Sequence, residues 1–364
     1  MNLLFWGDIM PGGILPYVGI DPLTQSIIDK ISGADFVIGT LECAIGDNLP
    51  YDSVKMAGRG NIIYAPTTAA ELLVKMRFSV VSLANNHIFD LGKDGLISTI
   101  ELLKKKNIQF TGAGLNIEEA LRPAVVEKNG VTVAFIGGCT YDSKQVAHVP
   151  VATKDSFGIA PLEGDEILSQ IRNCKRKYDY VVLLAHWGKE YTYFPLKSSI
   201  SLSKSLIDAG ADLIIGSHPH MVQPKVVIKG KDVFFSLGNG LFPDFLMNVP
   251  RPIWYPNPSE ITLSSIPVTN DYPYPVTEPL LRKWPKDSRL GMLVTTVLST
   301  STLRSDMEFI ELGDDNSLRL RKGGCINMKL KAVGTFLRSS FYDEGLLVRR
   351  IRSVLGRIKR KLIN

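Results

Sequence analysis

At 364 residues, 45% hydrophobic and 21% charged, with mean hydropathy +0.08, the chain has enough apolar material for one or two sizeable cores, which excludes a disordered, collagen-like or coiled-coil protein. No run approaches the roughly 20 apolar residues of a membrane-spanning helix, and Met1 leads into Asn2-Leu3-Leu4-Phe5-Trp6 with no basic leader or cleavage site, so a cytoplasmic or peripheral-membrane location is expected. The net charge of +6 is uneven, with +11 in residues 316–364 and −5 in 1–315, so no nucleic-acid partner is expected.

Strands are predicted at 2–7, 35–41, 78–83, 108–112, 131–137, 179–185, 212–216 and 233–237, with helices between them. The helix predicted at 67–76 follows Pro66 and sets Thr68 and Glu71 at capping-box spacing. The helix at 93–106 places Leu96, Ile100 and Leu103 on one face, and the helix at 198–209 stops at Gly210, which suits the position after a last turn. Strands alternating with helices predict an α/β domain with a largely buried sheet. Residues 243–285 hold ten of the 21 prolines, with Trp254 and Trp284, and predict an irregular excursion, either a surface loop or a substrate-facing flap. Residues 289–322 are strand-like again, and the last twenty residues read as a basic helix. The expected division is a domain over 1–315, including the excursion 243–288, and a basic C-terminal extension over 316–364. Cys43, Cys139, Cys174 and Cys325 lie far apart with no close pair, which predicts reduced thiols.

Polar residues collect where the predicted strands end: Asp8, Glu42, Asn85-Asn86-His87, His186, His218-Pro219-His220 and Asn239. Ligands of α/β sheets bind outside the carboxyl ends of the strands. Taken singly, each residue has a structural reading: Asp8 as a helix cap, Asn85-Asn86 as a turn, His186 as a hydrogen-bonded core residue. Together, two carboxylates, an amide and three imidazoles form the mixed N/O set suited to Mn, Zn or Fe, with no thiolate among them. His148 has no such context and reads as a surface residue.

The segments GDIMPGG (7–13), LE (41–42), LANNHIFDLGKDGL (83–96), GAG (112–114), HWGKEY (186–191), GADLIIGSHPHMVQP (210–224) and SLGNGLF (236–242) resemble the bacterial capsule-synthesis CapA family. That family is of the poly-γ-glutamate biosynthesis type and belongs to the calcineurin-like metallophosphoesterase superfamily. The resemblance covers residues 3–244, and more loosely 289–312. It implies an α/β, four-layer fold, a β-sandwich flanked by helices, with one or two divalent transition metals on the strand-end loops. By the same resemblance Asp8 and His220 would hold the first metal, Glu42 would bridge, and Asn86, His186 and His218 would hold the second. His87 would face the substrate as general acid.

Where superfamily enzymes carry a histidine two residues after the aspartate, this chain has Met10. Thioether sulfur does not replace imidazole for such an ion, so the second site is expected to be the tighter one, and Met10→His is expected to raise affinity for the first. Glu190 and Asp90 are candidates to orient an imidazole, Asp90 alternatively to cap the helix at 93. Asn85 and Asn239 are further candidates around the centre, and Lys55 and Arg59 candidates for an anionic substrate. The resemblance implies a metal-dependent hydrolase acting on a phosphoester or an anionic polymer such as poly-γ-glutamate. The alternative is a non-catalytic metal-binding subunit of a membrane synthase or export complex. Residues 345–364 set Leu347, Ile351, Val354, Leu355, Ile358 and Leu362 on one face among seven basic residues. Such a helix needs a surface to fold on: the acidic body, an anionic membrane or a partner protein.

Overall fold

The apolar run Asn2–Ile9 forms the middle of an eight-stranded sheet in a computed structural model that describes residues 1–47, 62–140, 149–249, 253–271 and 276–337. On one side it pairs in parallel with Phe36–Leu41, followed by Phe78–Ser82 and Gln109–Thr111. On the other it pairs antiparallel with Leu290–Leu298, then Leu303–Leu312 and Leu318–Arg321. A short strand, Asn239–Leu241, joins its carboxyl end.

A second sheet of six strands runs Lys225–Ile228, Lys231–Phe234, Leu213–Ser217, Tyr180–His186, Val131–Cys139, Ala124–Lys128, with its central pairs parallel. Side chains alternate along each strand, and this sets the layers. Leu4 and Trp6 pack with Ile27 and Ile31 of the helix Gln25–Ser32, Leu73 of Ala70–Lys75, and Leu96, Ile100 and Leu103 of Gly92–Lys105. Phe5, on the opposite face, meets Phe135 of the second sheet at a ring separation of 6.2 Å. The outer face of the second sheet, through Ile136, Val181 and Leu183, is covered by Ile167 and Ile171 of Asp165–Lys177 and by Leu206 and Ile207 of Lys197–Ala209. The result is the four-layer sandwich flanked by helices that the resemblance implies.

Three expectations need correction. The capping box at Thr68 does not form: residues 67–76 split into a 3₁₀ turn, Thr67–Ala69, and a short helix, and the Thr67 amide is instead held by Asp47 Oδ1 at 3.0 Å. The proline-rich excursion contains a small sheet in which Phe245–Met247 and Val268–Thr269 flank Leu280–Arg282. The body runs to Gly323 rather than ending at 315, because Leu318–Arg321 completes the first sheet. The remaining unit, Gly324–Asn364, contains the helix Gly324–Leu337, and the basic segment 345–364 lies outside the described residues. Among the described residues no helix is long and apolar enough to cross a membrane. Cys43, Cys139 and Cys174 are buried thiols outside any disulfide among the described residues.

Candidate metal centre

The parallel strands of both sheets end on one rim, and the sandwich is pinched together there. The Asp8 amide donates to Gly238 O (3.0 Å), the His218 amide to Asp8 Oδ2 (3.1 Å), and Thr40 Oγ1 to Ser217 Oγ (3.2 Å). The approach is close enough that a Cβ on Gly7 would lie 1.8 Å from Gly238 O, so only glycine fits.

Two groups of buried ligand atoms result, Asp8–Glu42–His220 and Glu42–His186–His218, each with its atoms within 4.8 Å of one another. Glu42 belongs to both, the place that the resemblance implies for a bridge. Its Oε1 lies 3.5 Å from His186 Nε2 and 3.7 Å from His220 Nε2. Asn86 Oδ1 lies 2.8 Å from the same His186 Nε2, so amide and imidazole converge on one point. Asp8 Oδ1 and His218 Nδ1 are buried and have no hydrogen-bond partner among the described residues. Buried polar atoms are ordinarily satisfied, and two such atoms in a carboxylate–imidazole–amide set fit a divalent cation.

Protonation states agree. Burial raises the Asp8 carboxyl to about 7, against the opposing hydrogen bonds from the His218 amide and from Glu42. Burial likewise lowers His218 to about 3 and, helped by neighbouring imidazoles, holds His186 and His220 well below the usual histidine value. All three imidazoles are therefore neutral and able to bind metal near pH 7, and cation uptake at Asp8 releases a proton at lower pH.

Polar side chains contact the other ring nitrogens of two of these imidazoles. His186 Nδ1 is 2.9 Å from Ser217 Oγ and His220 Nδ1 is 2.9 Å from Asn239 Oδ1. These contacts fix the two rings, whereas Glu190 is half-buried and acts on Asp8, raising its carboxyl further. Asn85 braces the loop, donating to Leu41 O (2.8 Å) and accepting from the His87 amide (2.9 Å). Asp90 caps no helix; its Oδ2 is 2.8 Å from His87 Nδ1 and accepts from the Ile63 amide at 2.5 Å. His87 belongs to neither ligand group, yet it lies close enough to act electrostatically on His186, His218 and His220. Lys55, Arg59 and His148 lie outside the described residues.

Met10 is fully buried in the apolar cluster, where its Sδ accepts from the Gly12 amide (3.3 Å) and lies 3.9 Å from the Tyr255 hydroxyl. An imidazole in that setting loses apolar packing and gains polar atoms to satisfy. Against the simple ligand-restoration expectation, Met10→His should lower the unfolding free energy by about 1–3 kcal/mol without adding a metal equivalent. A higher metal stoichiometry in that variant would show that the ring turns to the centre instead.

A second network was not legible in the sequence. Asp244 is fully buried and accepts two hydrogen bonds of 2.7 Å from Arg289, one from the Trp284 amide (2.9 Å) and one from Asn316 Nδ2 (3.2 Å). It holds Trp284, whose ring lies 5.0 Å from that of His220. Asp244→Ala strands a buried guanidinium and is expected to cost about 3–5 kcal/mol in chemical denaturation. A loss below about 1 kcal/mol would mean that Arg289 finds water or another partner.

The bacterial capsule synthesis proteins of PGA_cap type match residues 2–244, which include every predicted ligand. The chain belongs to that family. It is 32% identical over 247 residues to the PGA biosynthesis protein CapA of Bacillus subtilis, covering 66% of this chain and 63% of that one. Identity to the capsule biosynthesis protein CapA of Bacillus anthracis is also 32%, over 252 residues, covering 66% and 60%. A probable polyglutamine synthesis accessory protein of Mycobacterium tuberculosis is 29% identical over 174 residues, 46% of each chain. The chain thus spans less than two thirds of the length of these relatives.

Proposed function

We propose that this PGA_cap family member is a metal-dependent hydrolase that acts on a phosphoester or acyl bond in the synthesis or handling of an anionic surface polymer of the poly-γ-glutamate kind. The observation that carries the reading is the pair of buried ligand groups sharing Glu42, with the His87–Asp90 pair beside them but outside both. Asp8, Glu42 and His220 would hold one ion; Glu42, Asn86, His186 and His218 the other. A divalent ion held there would supply Lewis acidity toward a phosphoryl or acyl oxygen and toward water. Ser217 and Asn239 keep two imidazoles in fixed orientation, and the buried walls exclude bulk water. Asp90 anchors His87 through Nδ1, and His87 would deliver a proton to the leaving oxygen or nitrogen.

Metal analysis of the purified chain, joined to a screen of phosphoesters and γ-linked glutamyl peptides, tests this reading. Bound metal with turnover supports it. Bound metal with no turnover on either class would favour the accessory-subunit alternative, and absence of metal would remove both.

For residues 345–364 we propose an anionic membrane surface as the partner, since each basic residue near such a surface contributes about 1 kcal/mol and the apolar stripe suits the lipid boundary. Liposome sedimentation is expected to require anionic lipid, weaken with salt, and vanish when the chain is truncated after Asp343. Equal sedimentation of both forms would reject this partner.

A further inference from the structure

Beside the buried centre, Tyr191 is an aromatic residue open to solvent. Tyr191 is 40% exposed, while Asp8, Glu42, His186, His218 and His220 are each at most 3% exposed. Its ring centroid lies 6.1 Å from that of His220. Its backbone is left-handed, at φ 58°, which is costly for a bulky side chain and persists only where the surroundings impose it. The constraint is visible: the Tyr191 amide donates to Pro219 O at 2.9 Å, between the two ligand histidines of that loop. Beneath it lies Arg282, fully buried, its guanidinium 4.2 Å from the Trp284 ring centroid and 5.4 Å from that of Phe245. Its Nη2 faces the Tyr191 hydroxyl at 3.4 Å. A guanidinium only donates, so the phenol oxygen is the acceptor in this contact.

We infer that Tyr191 is the residue at the mouth of the centre that recognises an oxyanion of the substrate, phosphoryl or carboxylate, by donating its hydroxyl hydrogen, and that Arg282 is the positioning residue that orients and polarises that hydroxyl from below. The inference rests on the metal-centre reading above and deepens it. It explains a strained backbone at an exposed aromatic beside His220, and a buried cation stacked on Trp284. Both residues take no part in holding metal. Arg282 also lies beyond residues 2–244 matched by the family, in the small sheet of the proline-rich excursion, so this segment contributes to the site without supplying a ligand.

The test is calorimetric titration of the manganese-loaded full chain with inorganic phosphate in one arm and a γ-linked glutamate oligomer in the other, with metal content measured on each sample. Tyr191→Phe is expected to keep full metal content and to bind the recognised anion about tenfold more weakly, the loss of one hydrogen bond to a charged group. The arm that responds names the anion. Arg282→Met is expected to weaken the same titration in the parent but to add little in the Tyr191→Phe background, because it acts through the hydroxyl. A merely structural role would weaken both backgrounds equally, and that result overturns the assignment of Arg282. Unchanged affinity for both probes in fully loaded Tyr191→Phe overturns the inference alone. Failure of the parent to take up manganese, zinc or iron overturns the metal-centre reading, and this inference with it.

Discussion

Glu42→Gln is expected to empty both halves of the centre while leaving the metal-free protein at least as stable as the parent. Glu42 is fully buried and is the one residue common to both ligand groups. Glutamine preserves its size but removes the charge that would be shared between two cations. Loss of an outer hydrogen-bond partner costs about 10–100-fold in metal affinity, and loss of the bridging ligand should exceed that. In the absence of metal the same carboxylate is a burden, since it sits desolvated beside Asp8, whose own carboxyl is already pushed up to about 7. The neutral amide relieves that cost. Two measurements separate the states. At 100 times its dissociation constant, a metal stabilises the parent by about 2.7 kcal/mol, a shift that the variant should lack, whereas without metal its melting temperature should match or exceed the parent's. His220→Ala and His218→Ala each remove a ligand from one group only, so each should spare the other half and lose part of the stoichiometry together with part of the stabilisation. If all three variants lose the same amount of metal, Glu42 is not shared. If Glu42→Gln keeps its full complement, the ligand assignment fails.

Much of this centre was legible because its residues occupy one slot in an alternating chain. Asp8, Glu42, Asn86, His186 and His220 each follow an apolar run, and a parallel sheet sends every such position to the same rim. The braces were not legible to the same degree. Ser217 falls just past the strand predicted at 212–216, and only the strand's extra position places its hydroxyl on His186. Asp90 had two readings in the sequence, and only the position of the His87 ring decides between them. The Asp244–Arg289 pair spans 45 residues of proline-rich chain, a stretch whose periodicity is broken by residues that cannot donate to a ladder. No local pattern announces that a carboxylate at the start of that stretch and a guanidinium just past its end meet in the core. Tyr191 could be placed in the HWGKEY motif, yet its left-handed backbone is tied to Pro219, 28 residues further along the chain, a tertiary constraint with no sequence signature of its own.

His87→Ala is expected to lower turnover by about 10²–10⁴-fold, the usual contribution of a positioned proton donor, while metal content and metal-induced stabilisation stay at parental values. That separation follows from placement: His87 lies close enough to act electrostatically on His186, His218 and His220 but is absent from both ligand groups. Asp90→Asn should give a smaller loss, on the order of tenfold, because the amide keeps an acceptor near Nδ1 but carries no charge. The size of the His87 effect should also depend on the leaving group. A p-nitrophenolate departs without help, so a phosphoester carrying it should suffer least, whereas an alkyl phosphoester or a γ-glutamyl amide, whose departing atom needs a proton, should suffer most. Equal losses across that series would place His87 in substrate binding or orientation instead of proton transfer, and loss of metal in His87→Ala would make it a ligand.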